Sequence, residues 1–135
     1  MQEIIVRRLW APLRSEEDME WFCRSLGLLG KRDRGKTGMR IFLLLAYAAR
    51  ENQTMDIDKL AEKMNMTRTA IIHHIKAMEA KGLVERRNGK VGLRAYNFES
   101  IVNEIRKDML RTIESIREIA EEMDRKMNMP VRKKD

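Results

Sequence analysis

Thr67–Phe98 reads TRTAIIHHIKAMEAKGLVERRNGKVGLRAYNF. Thr67 can cap a helix, because its hydroxyl reaches a free backbone N–H of the first turn. Ile71, Ile75 and Met78 then recur at steps of four and three, giving one inward helix face. Gly82 follows Lys81 as a C-terminal stop. Leu83–Arg87 is β-rich and predicts a strand, with Leu93–Phe98 as its return and NGKVG between them. Asn88-Gly89 is a strong hairpin signal, since both residues tolerate positive φ. The pattern is a helix followed at once by a basic hairpin.

Upstream, Asp56 predicts another N-cap, and Ile57, Leu60, Ala61 and Met64 the inner face of a short helix ending near Asn65. Before it, Thr37 can cap a helix running to about Arg50, apolar nearly all round from Ile41 to Ala49 and therefore central to the core. Ser15 predicts a further cap. Glu16, Glu17 and Asp18 sit in its first turn, and Met19, Phe22, Cys23 and Leu26 line one face before Gly27 and Gly30. Residues 1–14 hold Ile4, Ile5, Val6, Leu9, Trp10 and Leu13, a short element able to dock on the body.

Downstream the pattern is helical from about Glu99 to Met127. Met109, Ile113, Ile116, Ala120, Met123 and Met127 alternate in steps of four and three, a seam of period 3.5. Phe98, Val102 and Ile105 continue it upstream, with one slip between Ile105 and Ile113. Thirty residues make a helix of roughly 45 Å, longer than one small domain needs, so the seam predicts a homodimer. Pro130 closes it. The expected divisions are an N-terminal arm and helix over 1–35, a DNA-binding body over 36–98, a dimerisation helix over 99–128 and a basic tail over 129–135.

Composition agrees with a nucleic-acid partner. The chain has 135 residues, 28 Lys and Arg against 21 Asp and Glu, and a net charge of +7. The excess is concentrated: residues 31–50 carry six basic and one acidic group, whereas residues 98–135 carry nine of each. A positive field of this kind favours a polyanion. A single cysteine leaves no internal disulfide framework and no Cys-based zinc site, in keeping with a reducing compartment. MQEIIVRRLW lacks a secretory h-region, and the nine-residue run Ile41–Ala49 is too short to cross a bilayer. A cytoplasmic location is the expectation.

Helix, helix, tight turn, helix and basic hairpin form the winged helix-turn-helix layout. Thr67–Arg87, with Ile57–Thr67 before it, resembles the recognition helix, wing start and preceding helix of ArsR- and MarR-like regulators. The shared features are a Ser/Thr-rich helix start, a His, a Lys, Gly-Leu-Val and a basic strand, over about residues 38–97. The resemblance implies a fold that is mostly α with a small β-hairpin wing, a winged helix-turn-helix plus a long C-terminal dimerisation helix. It implies sequence-specific binding of double-stranded DNA by a transcription regulator, and no enzymatic activity.

Carried onto this chain, Thr67, Arg68, Thr69, Ile72, His73 and Lys76 form the outer face of the recognition helix. They offer donors to phosphates and base edges, with Ile72 able to meet a thymine methyl. Ile72 departs from the small polar residue common in relatives. Arg86, Arg87, Lys90 and Arg94 would grip backbone or minor groove from the wing, joined by the basic loop through Arg32, Arg34, Lys36 and Arg40. Val102, Ile105, Met109, Ile113, Ile116, Ala120, Met123 and Met127 would carry dimerisation. The metal-sensing Cys-x-Cys of many ArsR relatives is absent, the matching helix reading KLAEKM. His73 and His74 diverge by about 100° on a helix and cannot share an ion as an i, i+4 pair does. No metal or cofactor is expected, and Cys23 belongs to an apolar face. Two other classes fit the same residues: an adaptor that binds proteins of the transcription machinery, and a non-specific architectural or RNA-binding protein.

Overall fold

A computed structural model describes residues 15–29 and 36–131. Residues 1–14, and Arg32 and Arg34 of the basic loop, lie outside the described residues. The elements are α1 (Ser15–Ser25), α2 (Thr37–Arg50), β1 (Met55–Asp56), α3 (Ile57–Met64), α4 (Arg68–Ala80), β2 (Val84–Arg87), β3 (Lys90–Leu93) and α5 (Phe98–Met127). The fold is mostly helical with a small antiparallel sheet and a long C-terminal helix, an arrangement compatible with a winged helix followed by a long helix.

Caps fix the helix starts. The Asp56 carboxylate accepts from the Asp58 N–H at 3.0 Å and the Thr67 hydroxyl from the Ala70 N–H at 3.1 Å. Asn97 does the same for α5, accepting from the Ser100 N–H at 2.8 Å, so α5 begins a residue before the expected Glu99. Thr37 does not cap α2. Lys36 occupies that position with left-handed backbone and no side-chain cap, and Thr37 is the first helical residue. Between α3 and α4, Asn65 adopts φ of 53° and the Met66 N–H returns to the Ala61 carbonyl at 2.9 Å. That left-handed close compresses the helix-helix turn to three residues. Gly82, at φ of 77°, ends α4 in the same way, with the Leu83 N–H bonded to the Met78 carbonyl. It sends the chain directly into β2.

The sheet has the order β1-β3-β2. β2 and β3 meet in a two-residue turn in which Asn88 and Gly89 both have positive φ, 53° and 78°. The return strand therefore begins at Lys90, earlier than the expected Leu93. Glu51–Thr54 connects as expected, but Met55 and Asp56 then pair with Val91 and Lys90 before α3 begins. Two residues give too short a run for alternation to be read from sequence. The pairing ties the hairpin to the body.

One core unites all five helices and the sheet. Ile41, Phe42 and Leu45 of α2 are fully buried with Leu60, Ile71, Ile75, Leu83 and Val91. Cys23 of α1 and Ile101 of α5 join them. Phe22, Phe42 and Phe98 form an aromatic triangle with ring centroids 5.3–6.5 Å apart, linking α1, α2 and α5.

Candidate nucleic-acid interface

α4 divides as its spacing requires. Ile71, Ile75 and Met78 are buried, while Arg68, Thr69, His73 and Lys76 are exposed together on the other side. Thr67, also exposed, spends its hydroxyl lone pair on the cap. Ile72 is different from expectation. It is half-buried and packed against the core, because it lies at the border between the two faces. The imidazoles of His73 and His74 meet edge to face at 5.9 Å. Among the described residues no group of three or more His, Cys, Asp or Glu gathers around a point.

The cations of this surface are not equally available. Arg68 donates to Asp58 at 2.5 Å, bracing the start of α4 against α3, and both groups remain exposed. Arg86 pairs with Glu79 across the α4–β2 junction at 2.9 Å. Arg87 is 84% exposed, reaching Glu85 only at 3.5 Å, and Lys90 is exposed at the turn. Arg94 does not join them. Its guanidinium makes two bonds to the Asp108 carboxylate of α5, at 2.7 and 3.2 Å, and donates to the Gly82 carbonyl at 3.4 Å. The Asp108 hydrogen bond holds the Arg94 pKa above its ordinary value. With its side chain only 20% exposed, Arg94 joins the end of the wing to the long helix. Asp108 also receives Arg111. Of the basic-loop set, Arg40 is exposed on α2, and Lys36 pairs with Glu20 of α1, holding that carboxyl below the usual range.

Two cations escaped the sequence reading. Lys59 and Lys63, four apart on α3, border a cleft with Tyr47, Asp56 and Lys90. Their signal was present: they fall outside the face formed by the buried Ile57, Leu60 and Met64. They extend the positive surface from α3 to the tip of the hairpin.

The dimerisation set also splits. Ile105 is buried in this chain's own core beside Ile101, and so does not face outward as the seam required. Val102, Met109, Ile113, Ile116, Ala120, Met123 and Met127 are exposed on one stripe of α5. Its upper end forms an apolar groove with Trp21 and Phe22 of α1 and with Leu26 just after it. Cys23 is fully buried, and desolvation pushes its thiol up to about 11, leaving an inert thiol. Among the described residues no helix is long and apolar enough to cross a membrane.

A capped helix with a cationic outer face, preceded by a short helix and followed by a basic hairpin, is compatible with a winged helix. A family model described as the N-terminal domain of the methanogenesis regulatory protein FilR1 matches residues 34–114, more than half the chain, and the chain belongs to that family. The match supports a transcription regulator, and it is to this family rather than to the ArsR- or MarR-like type that the motif resembles. No curated protein and no solved structure matches the chain.

Proposed function

We propose that this chain is a sequence-specific, double-stranded DNA-binding transcription regulator that acts as a homodimer and has no enzymatic activity. The observation that carries the reading is the division of α4: three apolar residues anchor one side, while Arg68, Thr69, His73 and Lys76 stand together on the other. A helix of that form fits the major groove, where Arg can read guanine and Thr or His can meet base edges or phosphate. Arg87 and Lys90 at the hairpin tip, with Lys59 and Lys63 on α3, supply backbone contacts. Arg86 and Arg94 position the wing through Glu79 and Asp108 instead of reaching for DNA. The division of labour follows the ArsR/MarR-like plan in layout only. The family's description, a methanogenesis regulatory protein, supports a role in the control of methanogenesis.

The test is selection from a random duplex pool at a stated salt concentration, followed by binding of the selected site and of random DNA. Arg68→Ala is expected to cost roughly 1–3 kcal/mol on the selected site and much less on random duplex. Equal losses on both would remove Arg68 from base reading. Enrichment of no sequence, with binding that persists on structured RNA, would favour a non-specific nucleic-acid protein. No duplex binding even at low salt would favour an adaptor for the transcription machinery.

A further inference from the structure

The exposed stripe of α5 has a polar interruption that bears on how two copies meet. Val102, Met109, Ile116 and Met123 repeat every seven residues, and Ile113, Ala120 and Met127 form the second row of the same heptad. One heptad before Ile113, the second row places Arg106, which borders the apolar groove between α1 and α5. The slip in the sequence pattern marks this place: Ile105 turns into the chain's own core and Arg106 takes the seam position.

In a parallel pair, equivalent seam positions face each other, so Arg106 would meet Arg106 of the second copy across an apolar stripe. Two like charges in partly desolvated contact are unfavourable. In an antiparallel pair, the first row of one helix faces the second row of the other. The eight positions from Val102 to Met127 are then paired completely, with Ile113 against Ile116, Met109 against Ala120, Arg106 against Met123 and Val102 against Met127. Arg106 would point its head past Met123 toward Glu122 and Asp124, the chain neighbours of that methionine. The wider charge pattern agrees. Residues 98–113 carry three acidic and three basic groups, but residues 114–127 carry five acidic and three basic. A parallel pair sets the two acidic halves side by side, and an antiparallel pair sets each against a balanced half.

We propose that two copies join through antiparallel α5 helices, the second half of each lying in the groove between α1 and α5 of the other. The groove walls, Trp21, Phe22 and Leu26, cover the side of the incoming helix that the α5 stripe does not reach. This inference rests on the homodimer reading above and adds its direction and register. It also sets the reading heads at opposite ends of a rod roughly 40 Å long, on the scale of the 34–36 Å between successive turns of one duplex face.

The experiment places nitroxide labels in the full chain at Glu118→Cys or, separately, Arg125→Cys, both on the outer side of α5. Cys23→Ala removes the native thiol, and sedimentation of the labelled chain establishes its oligomeric state. Antiparallel pairing predicts an intermolecular distance that grows between the two sites, from about 20 Å at 118 to more than about 30 Å at 125, by the helical rise. Equal distances at both sites in a sedimenting dimer would overturn the antiparallel arrangement and leave the homodimer intact. A monomer, with no dipolar coupling at either site, would overturn both. Arg106→Glu, made in the unlabelled chain, gives a second reading: it would face Glu122 and Asp124 and weaken the dimer at least tenfold. An unchanged dimer constant would overturn the assignment of that contact.

Discussion

The first two turns of α5 and the turns that follow carry the same apolar spacing and meet different fates. Ile101 and Ile105 are almost wholly enclosed by the chain's own helices. Ile113, Ile116 and Met123, farther along the same helix, remain 50–60% exposed. The side chains are of one kind; the difference is what lies opposite them. Early in the helix α1 and α2 close over the face, and the Phe22, Phe42 and Phe98 rings seal the junction. Farther along, the described residues leave the face largely uncovered. Periodicity identifies a face that must be covered, and only packing reveals whether the cover belongs to the same molecule.

The largest effects should separate these two halves. Ile101→Ala deletes a fully buried side chain, and a cost of about 3 kcal/mol in unfolding free energy is expected. Ile116→Ala in the exposed half should leave the unfolding of dilute, monomeric chain within about 0.5 kcal/mol of the parent, while raising the dimer dissociation constant. Chemical denaturation at two protein concentrations, with sedimentation alongside, measures both quantities. If Ile116→Ala destabilised the monomer as much as Ile101→Ala, the two halves would not differ as described.

Much of the architecture was legible because local chemistry and long-range packing agree. Asp56 and Thr67 announce their helices by a side chain that satisfies an orphan N–H, and Gly82 announces an end that needs positive φ. Met55–Asp56 was not legible, because a two-residue strand exists only through its partner in β3. At α2 the cap position falls to Lys36, in left-handed backbone and without a side-chain cap, and not to Thr37. The candidate interface was legible where burial alone decides exposure, as at Arg68, His73 and Lys76. It was not legible where a partner decides, because Arg94 and Arg87 look alike in the sequence. Asp108, fourteen residues from Arg94, claims one of them and leaves the other at the surface.

That contrast predicts a second, smaller effect. Arg94→Ala removes a two-pronged, largely covered bond to Asp108. A loss of about 2 kcal/mol in stability is expected. Asp108→Asn should produce a similar loss, and the double variant should lose less than the two singles combined. A double-mutant cycle that proved additive would contradict the link between wing and long helix.

The smallest effect concerns Arg87, which the fold does not require. With its side chain 84% exposed, its replacement by Ala should leave unfolding unchanged. Its effect should lie in DNA binding alone, where each neutralised phosphate releases counterions. The logarithm of affinity against the logarithm of salt concentration should therefore become shallower by about 0.9 for Arg87→Ala. The change should be the same on a preferred site and on random duplex, because a phosphate carries no sequence. Arg94→Ala, made in the same assay, should leave the slope nearly unaltered once the chain is fully folded. A slope that fell for Arg94→Ala and not for Arg87→Ala would reverse the roles of the two wing arginines, and would mean that Asp108 gives up its partner when DNA arrives.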